Sequence, residues 1–170
     1  MNKTVEPKTL SGGLRVLPSK SASHRAVMMA AMAEGKTQLE PLQLSEDISS
    51  TLACAQALGL TRGAAIAESE TEGFVRAEIW GGGEGAKRAL RELDCGESGS
   101  TLRFLVPVLA ALGQRAVFTG KGRLPQRPME PMLTRLREHG VQIALPTGGE
   151  TLPLELTGQL QRGDFVFAGD

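Results

Sequence analysis

Cationic and hydroxyl side chains cluster in residues 17–25, LPSKSASHR, immediately before an apolar stretch. Lys20 and Arg25 carry full positive charges, and Ser21 lies between them in sequence. If a helix begins here, its dipole and its free backbone N–H groups add further attraction for an anion. The pattern is therefore typical of a phosphate or carboxylate site. An ordinary capped helix with two solvated cations is the alternative interpretation.

Two further segments combine glycines with cations. Residues 95–103, CGESGSTLR, include Gly99, where the backbone can approach a ligand closely, and end in Arg103. Residues 120–128, GKGRLPQRP, are dense in cations for a loop and include Arg127. Because glycine-rich turns and loop cations are commonly solvated, each segment is ambiguous on its own. Three similar segments favour helix starts that converge on one cleft.

Other chemistries are poorly represented. Residues 81–87, GGGEGAK, lack the spacing and the Ser or Thr of a nucleotide-binding P-loop. Cys54 and Cys95 match no metal-ligand spacing, and His24 and His139 are far apart in sequence, so no metal set or serine triad can be assigned. The sequence offers anion binding but no evident acid–base pair.

The composition excludes several classes of partner. Among 170 residues, 19 basic and 19 acidic side chains cancel, so no overall field favours nucleic acid or an anionic membrane. Aromatic residues make up only 4%, which argues against a base-stacking surface. The longest apolar run, residues 26–33, is too short to span a bilayer, and the amino end does not resemble a signal peptide. We expect a cytoplasmic protein.

The periodicity of apolar residues predicts a mixed α/β fold whose helices position the three segments. Pro18 marks the loop side of the first helix, Ser21 or Ser23 caps it, and Pro128 lies in the first turn of the fourth. The predicted helices cover residues 21–33, 46–58, 99–112 and 128–139. The predicted strands cover residues 3–10, 13–17, 37–40, 64–67, 74–80, 116–118, 141–145, 152–156 and 164–168.

The first and third helix starts repeat at an interval of 78 residues. Residues 21–25, SASHR, are echoed by residues 98–103, SGSTLR, and in both cases a glycine follows ten positions after the arginine. Each of these helices is followed by a strand, a helix ending in glycine and two strands. The pattern predicts two repeated units, and a third start would fall near residue 176.

These motifs resemble those of the 5-enolpyruvylshikimate-3-phosphate synthase family. Residues 18–25 are similar to its P-x-S-K-S signature, and residues 45–48 to its S-x-D step into the second helix. Residues 99–103 are similar to its G-T-x-x-R helix start, and residues 124–136 to its Arg-Pro segment. The matches occur in order over residues 15–140, and their combination is specific.

The resemblance implies a fold of two lobes, each with three βαβαββ-type units, and an active site between the lobes. Residues 1–15 would belong to the other lobe. Residues 16–170 would form a partial lobe with units at about 21–97 and 98–170. The chain would then be an amino-terminal fragment, with a third unit opening on Ser-Ser-Gln beyond Asp170.

The resemblance also implies a reaction. The family transfers the enolpyruvyl group of phosphoenolpyruvate to the 5-hydroxyl of shikimate 3-phosphate and releases phosphate, without a metal or organic cofactor. Because the family's acid–base residues would lie beyond Asp170, we expect the 170-residue chain to be inactive until the remaining part is supplied.

Individual residues take roles from the same resemblance. Lys20 would be catalytic and contact both substrates, while Ser21 and Arg25 would hold shikimate 3-phosphate. Gly99 and Arg127 would bind phosphoenolpyruvate, and the family's inhibitor glyphosate occupies the same place. Arg103 would support that site.

The chain departs from the family pattern near the second segment. Glu97 stands where many members have asparagine, Ser100 replaces the usual threonine, and Phe104 stands where some members have proline. The carboxylate of Glu97 would oppose phosphate binding unless it points away or is paired.

Two alternative functions are also compatible with the sequence. A UDP-N-acetylglucosamine enolpyruvyl transferase relative would carry a Lys-Asn motif and a catalytic cysteine before the fourth helix. Here the motif is Lys20-Ser21, and the 119–127 loop has no cysteine. A non-catalytic phosphate-binding module is the second alternative, favoured by the short length and opposed by the ordered motifs.

Overall fold

The structure is a computed structural model that describes residues 3, 4, 7, 9, 11–13, 16–83 and 90–167. The α-helices of the described residues are Lys20–Met32 (α1), Glu46–Ala57 (α2), Gly99–Leu112 (α3) and Glu130–Glu138 (α4). The strands of the same residues are Gly35–Leu42 (β1), Thr61–Glu68 (β2), Val75–Gly81 (β3), Arg91–Asp94 (β4), Ala116–Thr119 (β5), Val141–Ala144 (β6) and Leu154–Gly158 (β7). A 3₁₀ turn covers Leu124–Gln126.

The first sheet has the strand order β1-β3-β2, and both strand pairs are antiparallel. Helix α1 packs against β3, and Gly81 at the end of β3 makes this close approach possible. A Cβ atom at Gly81 would overlap the backbone carbonyl groups of Ala30 and Ala33 at the end of α1. Glycine is therefore required where this strand meets the helix.

The second sheet has the order β4-β5-β7-β6. Strands β4 and β5 are parallel, and α3 connects them, as a parallel pair requires a crossover. Strand β7 pairs antiparallel with both β5 and β6. Leu93 and Phe118 face each other across the parallel pair and are both buried.

Helix α2 joins the two sheets through side-chain packing. It contacts α1 and β2 on one side and α3 and β4 on the other. Apolar side chains from both sheets and from all four helices form one buried cluster, in which Ile48, Leu105 and Phe118 are fully buried. No helix of the described ranges is both long and apolar enough to cross a membrane.

The helix predictions are confirmed in position, although five helix ends differ by one or two residues. Helix α3 has the predicted bounds, and Gly113 follows it in the left-handed conformation. Helix α1 is capped by Ser19, whose Oγ accepts from the backbone N–H of Ala22 at 3.3 Å, so the prediction of Ser21 or Ser23 is wrong. Helix α4 begins at Glu130 because the chain makes a 3₁₀ turn before it, and Pro131 occupies its first turn instead of Pro128.

The described residues do not confirm the strand predictions near the two ends of the chain. The strands predicted at 3–10 and 13–17 fall partly outside the described residues, and the described residues of these segments lie in no strand. Residues 164–167 of the strand predicted at 164–168 are also not in a strand, and residue 168 lies outside the described part. Here Phe165 stacks on His139 with ring centroids 4.1 Å apart, so the segment lies against the end of α4.

Strand β4 is absent from the predicted strands, and its presence changes the element order of the second repeated unit. The elements from β4 to β7 follow the order βαβαββ, whereas the first set begins with α1 in the described residues. The two sheets divide between Gly81 and Arg91, ahead of the boundary expected at residues 97 and 98. The mixed α/β class is confirmed.

Candidate functional site

Serine side chains cap the three helices that carry the predicted site residues or pair with them. Ser19 caps α1, and Ser45 caps α2 by accepting from the backbone N–H of Ile48 at 3.4 Å. Ser98 caps α3 by accepting from the backbone N–H of Thr101 at 3.1 Å. Each cap fixes the direction of a first turn whose remaining N–H groups can face a ligand.

A chain of buried hydroxyl groups joins the first turns of α2 and α3 to α1. The Oγ1 atoms of Thr51 and Thr101 lie 2.8 Å apart, and Thr51 Oγ1 lies 2.8 Å from Nδ1 of His24. Thr101 Oγ1 also lies 2.7 Å from Ser98 Oγ. Both threonine hydroxyls reach the backbone carbonyl of Asp47, at 3.1 and 3.3 Å. The three helix starts are therefore tied together at one point.

Lys20 forms an ion pair with Asp47 across the α1–α2 junction. The lysine side chain remains 59% exposed, whereas the aspartate is 24% exposed. An exposed pair of this kind contributes little to stability, and its ammonium group can still turn toward a ligand. Lys20 thus lies beside the start of α2 with its charge available to solvent.

Gly99, Arg103 and Arg127 lie together at the start of α3. A Cβ atom at Gly99 would lie 2.7 Å from Nη1 of Arg127 and 3.6 Å from Nη1 of Arg103. Two guanidinium groups therefore stand over the α-carbon of a glycine in the first turn of a helix. The dipole and both cations favour a negative charge at this point.

Backbone contacts hold the two arginines in place. The side chain of Arg103 donates from Nη2 to the carbonyl of Pro128 at 3.1 Å. The carbonyl of Arg127 accepts from the hydroxyl of Thr151 at 2.9 Å, and its N–H donates to the carbonyl of Leu124 at 3.1 Å. The 3₁₀ turn over Leu124–Gln126 thus fixes Arg127 opposite Gly99.

Ser21 and Arg25 lie on the first turns of α1 and are both exposed. Within the described residues, no hydrogen bond or ion pair connects them to Gly99, Arg103 or Arg127. Arg25 instead borders an apolar groove of about 320 Å³ between α1 and α3. The groove is lined by Met28, Met29, Phe104, Pro107 and Val108 in addition to Arg25.

Glu97 faces a different part of the site from Gly99. Its carboxylate lies against Gly122, where an added Cβ would overlap it, and it borders a cavity of about 410 Å³ at the start of α2. The charged side chains around this cavity are Glu46, Asp47, Asp94, Glu97 and Lys121. No group of three or more His, Cys, Asp or Glu side chains in the described part of the chain is arranged to hold a metal ion.

His24 is completely buried. Its Nε2 has no hydrogen-bond partner, and the ring meets Phe104 edge-on with centroids 6.3 Å apart. Burial lowers the pKa of His24 below 6.5, partly offset by the negative charge of Asp47. The hydrogen bond between His24 and Thr51 could not be predicted from the sequence, because the two residues are 27 positions apart.

The comparisons with known proteins agree with the resemblance. The family model for EPSP synthase (3-phosphoshikimate 1-carboxyvinyltransferase) matches residues 5–170. The chain is 38% identical over 159 residues to the 3-phosphoshikimate 1-carboxyvinyltransferase of Synechococcus sp. (strain RCC307), which covers 93% of this chain and 35% of that protein. It is 33% identical over 171 residues to the protein of the same name from Clostridium novyi (strain NT), covering 99% and 38%.

A solved structure gives the same result. The EPSP synthase from Acinetobacter baumannii superposes with a TM-score of 0.65 and 30% sequence identity, covering 93% of this chain and 36% of that one. The chain spans little more than a third of the length of the curated relatives described above. With a family model matched over nearly its whole length, the chain belongs to the EPSP synthase family, whose members are transferases of the shikimate pathway.

Proposed function

We propose that the chain is the amino-terminal part of a 3-phosphoshikimate 1-carboxyvinyltransferase. The complete enzyme transfers the enolpyruvyl group of phosphoenolpyruvate to the 5-hydroxyl of shikimate 3-phosphate and releases phosphate. One observation supports this proposal above the others: the guanidinium groups of Arg103 and Arg127 stand over Gly99 at the start of α3. Such a site suits a small, highly charged anion.

Phosphoenolpyruvate is the ligand we assign to the Gly99 site. Its phosphate or carboxylate would meet the free N–H groups of the first turn of α3 and the side chain of Arg127. Arg103 supports the site by adding a second positive charge while its Nη2 stays bonded to the carbonyl of Pro128. The absence of a side chain at Gly99 leaves room for both the ligand and the guanidinium groups.

Shikimate 3-phosphate is assigned to the start of α1. Ser21 and Arg25 are exposed there, so both can reach the phosphate of a ligand above the helix. Lys20 lies between the two substrates and contacts both, because its ammonium group is exposed beside the starts of α1 and α2. The reaction passes through a tetrahedral ketal phosphate, and cations that hold two anionic substrates side by side lower its barrier.

The chain alone is expected to be inactive. It corresponds to 35–38% of the length of its relatives, and we assign the acid–base residues and the rest of the second lobe to the remaining part. In this proposal residues 1–15 contribute to that other lobe, residues 16–170 supply two of three units of one lobe, and the parent enzyme is cytoplasmic and needs no cofactor.

Reconstitution tests the proposal. The purified chain would be mixed with the complementary carboxy-terminal part of the Clostridium novyi relative, and phosphate release would be measured with both substrates present. We expect no release from either part alone and release from the mixture, which we call the reconstituted pair. Turnover by the 170-residue chain alone would contradict the assignment of the acid–base residues to the other part. Failure of shikimate 3-phosphate to bind any combination would contradict the substrate assignment.

A further inference from the structure

The buried hydroxyl chain has no role in the proposed reaction, yet the residues at its two ends each precede a residue that does. His24 precedes Arg25, and Ser98 precedes Gly99. Asp47 supplies the carbonyl that both threonine hydroxyls reach, and its carboxylate pairs with Lys20. These hydrogen bonds therefore connect α1 and α3, which carry proposed ligand contacts, through α2.

The number of hydrogens on each side chain determines which group donates in each hydrogen bond of the buried hydroxyl chain. Thr51 and Thr101 each have one hydroxyl hydrogen, and that of Thr101 is donated to Ser98 Oγ. The hydrogen of Thr51 is then the one shared with Thr101 Oγ1, so the hydrogen bonds run from Thr51 to Thr101 to Ser98. In this assignment Nδ1 of His24 carries a hydrogen and donates to Thr51. Thr51 Oγ1 then donates once, to Thr101, and has no second hydrogen to offer Nδ1.

The environment of Nε2 supports the same tautomer of His24. This nitrogen is buried without a partner. Buried N–H groups without an acceptor are rarer in proteins than buried acceptors without a donor. With the hydrogen on Nδ1, the unpartnered ring atom is an acceptor, and the hydroxyl hydrogens of Thr51 and Thr101 both have partners. The ring is consequently held as a fixed donor between two helices.

We propose that His24, acting through Thr51 and Thr101, is a positioning residue that sets the relative placement of the first turns of α1, α2 and α3. This inference rests on the proposed function, because the placement of the helices determines whether Lys20 and Gly99 can contact two neighbouring anionic substrates. A hydrogen-bonded chain of this kind fixes direction as well as distance, whereas apolar contacts alone would allow the helices to slide.

Thr51→Val is the central test, because valine keeps the shape of threonine and removes the hydroxyl that links His24 to Thr101. Thr61→Val is a matched control. Thr61 is also buried, and its hydroxyl contacts two backbone carbonyls, those of Gly63 and Trp80, each at 2.7 Å. It lies at the start of β2, at the opposite end of α2 from the helix starts.

Two measurements on the 170-residue chain are needed. Residual dipolar couplings report the relative orientation of α1, α2 and α3 without any ligand, and titration with shikimate 3-phosphate reports affinity. We expect Thr51→Val to change the helix orientations and to weaken binding by about fivefold or more. Thr51→Ser, which keeps the hydroxyl, should restore both, and Thr61→Val should change neither even if it lowers stability by a similar amount.

The histidine is tested in the same way. His24→Asn retains an amide hydrogen that can reach Thr51, whereas His24→Leu does not, so the asparagine variant should keep the helix orientations and the leucine variant should lose them. Nitrogen NMR of the native chain should show the hydrogen on Nδ1. Unchanged orientations in Thr51→Val, or a hydrogen on Nε2, would overturn the inference. If the native chain bound no shikimate 3-phosphate, the substrate assignment would fail, while the orientations would still decide the role of His24.

Discussion

The guanidinium group of Arg127 lies over the α-carbon of Gly99, at a distance that leaves no room for a methyl group. The two residues are 28 positions apart in sequence, and the 3₁₀ turn before α4 brings them together. Because the obstructing atom is the flexible end of a long side chain, a larger residue at position 99 displaces Arg127 without disturbing the backbone.

Gly99→Ala should therefore damage the site more than the fold. We expect the stability to change by less than about 1 kcal/mol, since alanine is well accommodated in a first helical turn. The kcat/KM of the reconstituted pair for phosphoenolpyruvate should fall by about tenfold or more. Gly63→Ala is the control, because a Cβ there meets only the Trp80 ring at 3.9 Å. Equal kinetics for both variants would contradict the assignment of Arg127.

Lys20→Ala should remove activity while leaving the fold intact. The lysine pairs with Asp47 at the surface, so its loss should cost no more than about 0.5 kcal/mol in unfolding experiments. The reconstituted pair should lose about a hundredfold in kcat, since a charge that stabilises both substrates and the intermediate is gone.

Lys36→Ala provides the matched control for Lys20. Lys36 pairs with Glu78 at 2.9 Å, with side-chain exposures of 49% and 26% that are close to those of Lys20 and Asp47. It lies on the outer part of the first sheet. Near-native turnover by Lys20→Ala, or a similar loss in Lys36→Ala, would remove Lys20 from the site.

His24 should make the stability of the chain depend on pH. The folded state holds the ring neutral because burial lowers its pKa, whereas the unfolded chain takes up a proton near pH 6.5. The free energy of unfolding should therefore be highest above pH 6.5 and decrease as the pH falls below this value. Urea unfolding from pH 8 to pH 5 measures the slope. His24→Asn should have a smaller slope, and an identical slope would show that other groups account for it.

The two cysteines should be unreactive in the folded chain. Cys54 and Cys95 are both buried, and Cys54 donates to the carbonyl of Asp94 at 3.4 Å. A hydrogen bond with Cys54, together with burial, raises the pKa of Cys95, which keeps its thiol protonated. Ellman's reagent should detect no thiol in the native chain and two after unfolding. Rapid labelling before unfolding would show that the α2–β4 junction opens.

Gly81→Ala should destabilise the fold strongly, in contrast to Gly99→Ala. Its Cβ would meet backbone carbonyls at the end of α1, which cannot move aside like a side chain. We expect a loss of about 3 kcal/mol or more, visible as a lower midpoint in thermal or urea unfolding. Gly63→Ala in the same sheet should lose much less, and similar midpoints for the two variants would contradict the close packing of α1 on β3.

The helices could be predicted because residues next to their ends, such as capping serines and terminating glycines, mark where they begin and end. Ser98 caps α3, Gly113 ends it, and the apolar spacing between them fixes its buried face. Strand β4 was missed because its sequence, Arg91-Glu92-Leu93-Asp94, has little local strand character. It becomes a strand only by pairing with β5, more than twenty residues later. Residues 164–167 show the opposite case, because their local alternation predicts a strand but they pair with no strand among the described residues.

The cationic residues of the site could be selected from sequence, whereas their connections could not. Lys20, Gly99 and Arg127 lie in recognisable segments, so their types and neighbours identified them. The contacts of His24 with Thr51, and of Thr51 with Thr101, join residues 27 and 50 positions apart. Small hydroxyl residues on buried helix faces are common, and only the packing of three helices shows that these ones meet.

The division between the two sheets has a consequence for how a protein of this kind can gain further units by gene duplication. In the part of the chain that the structure describes, the two sheets share no hydrogen-bonded strand, and α2 joins them through side chains. Duplication of the coding segment for one unit would therefore add a complete sheet without exchanging a strand with an existing one. New contacts would be needed only on helix surfaces, where single substitutions can create them gradually.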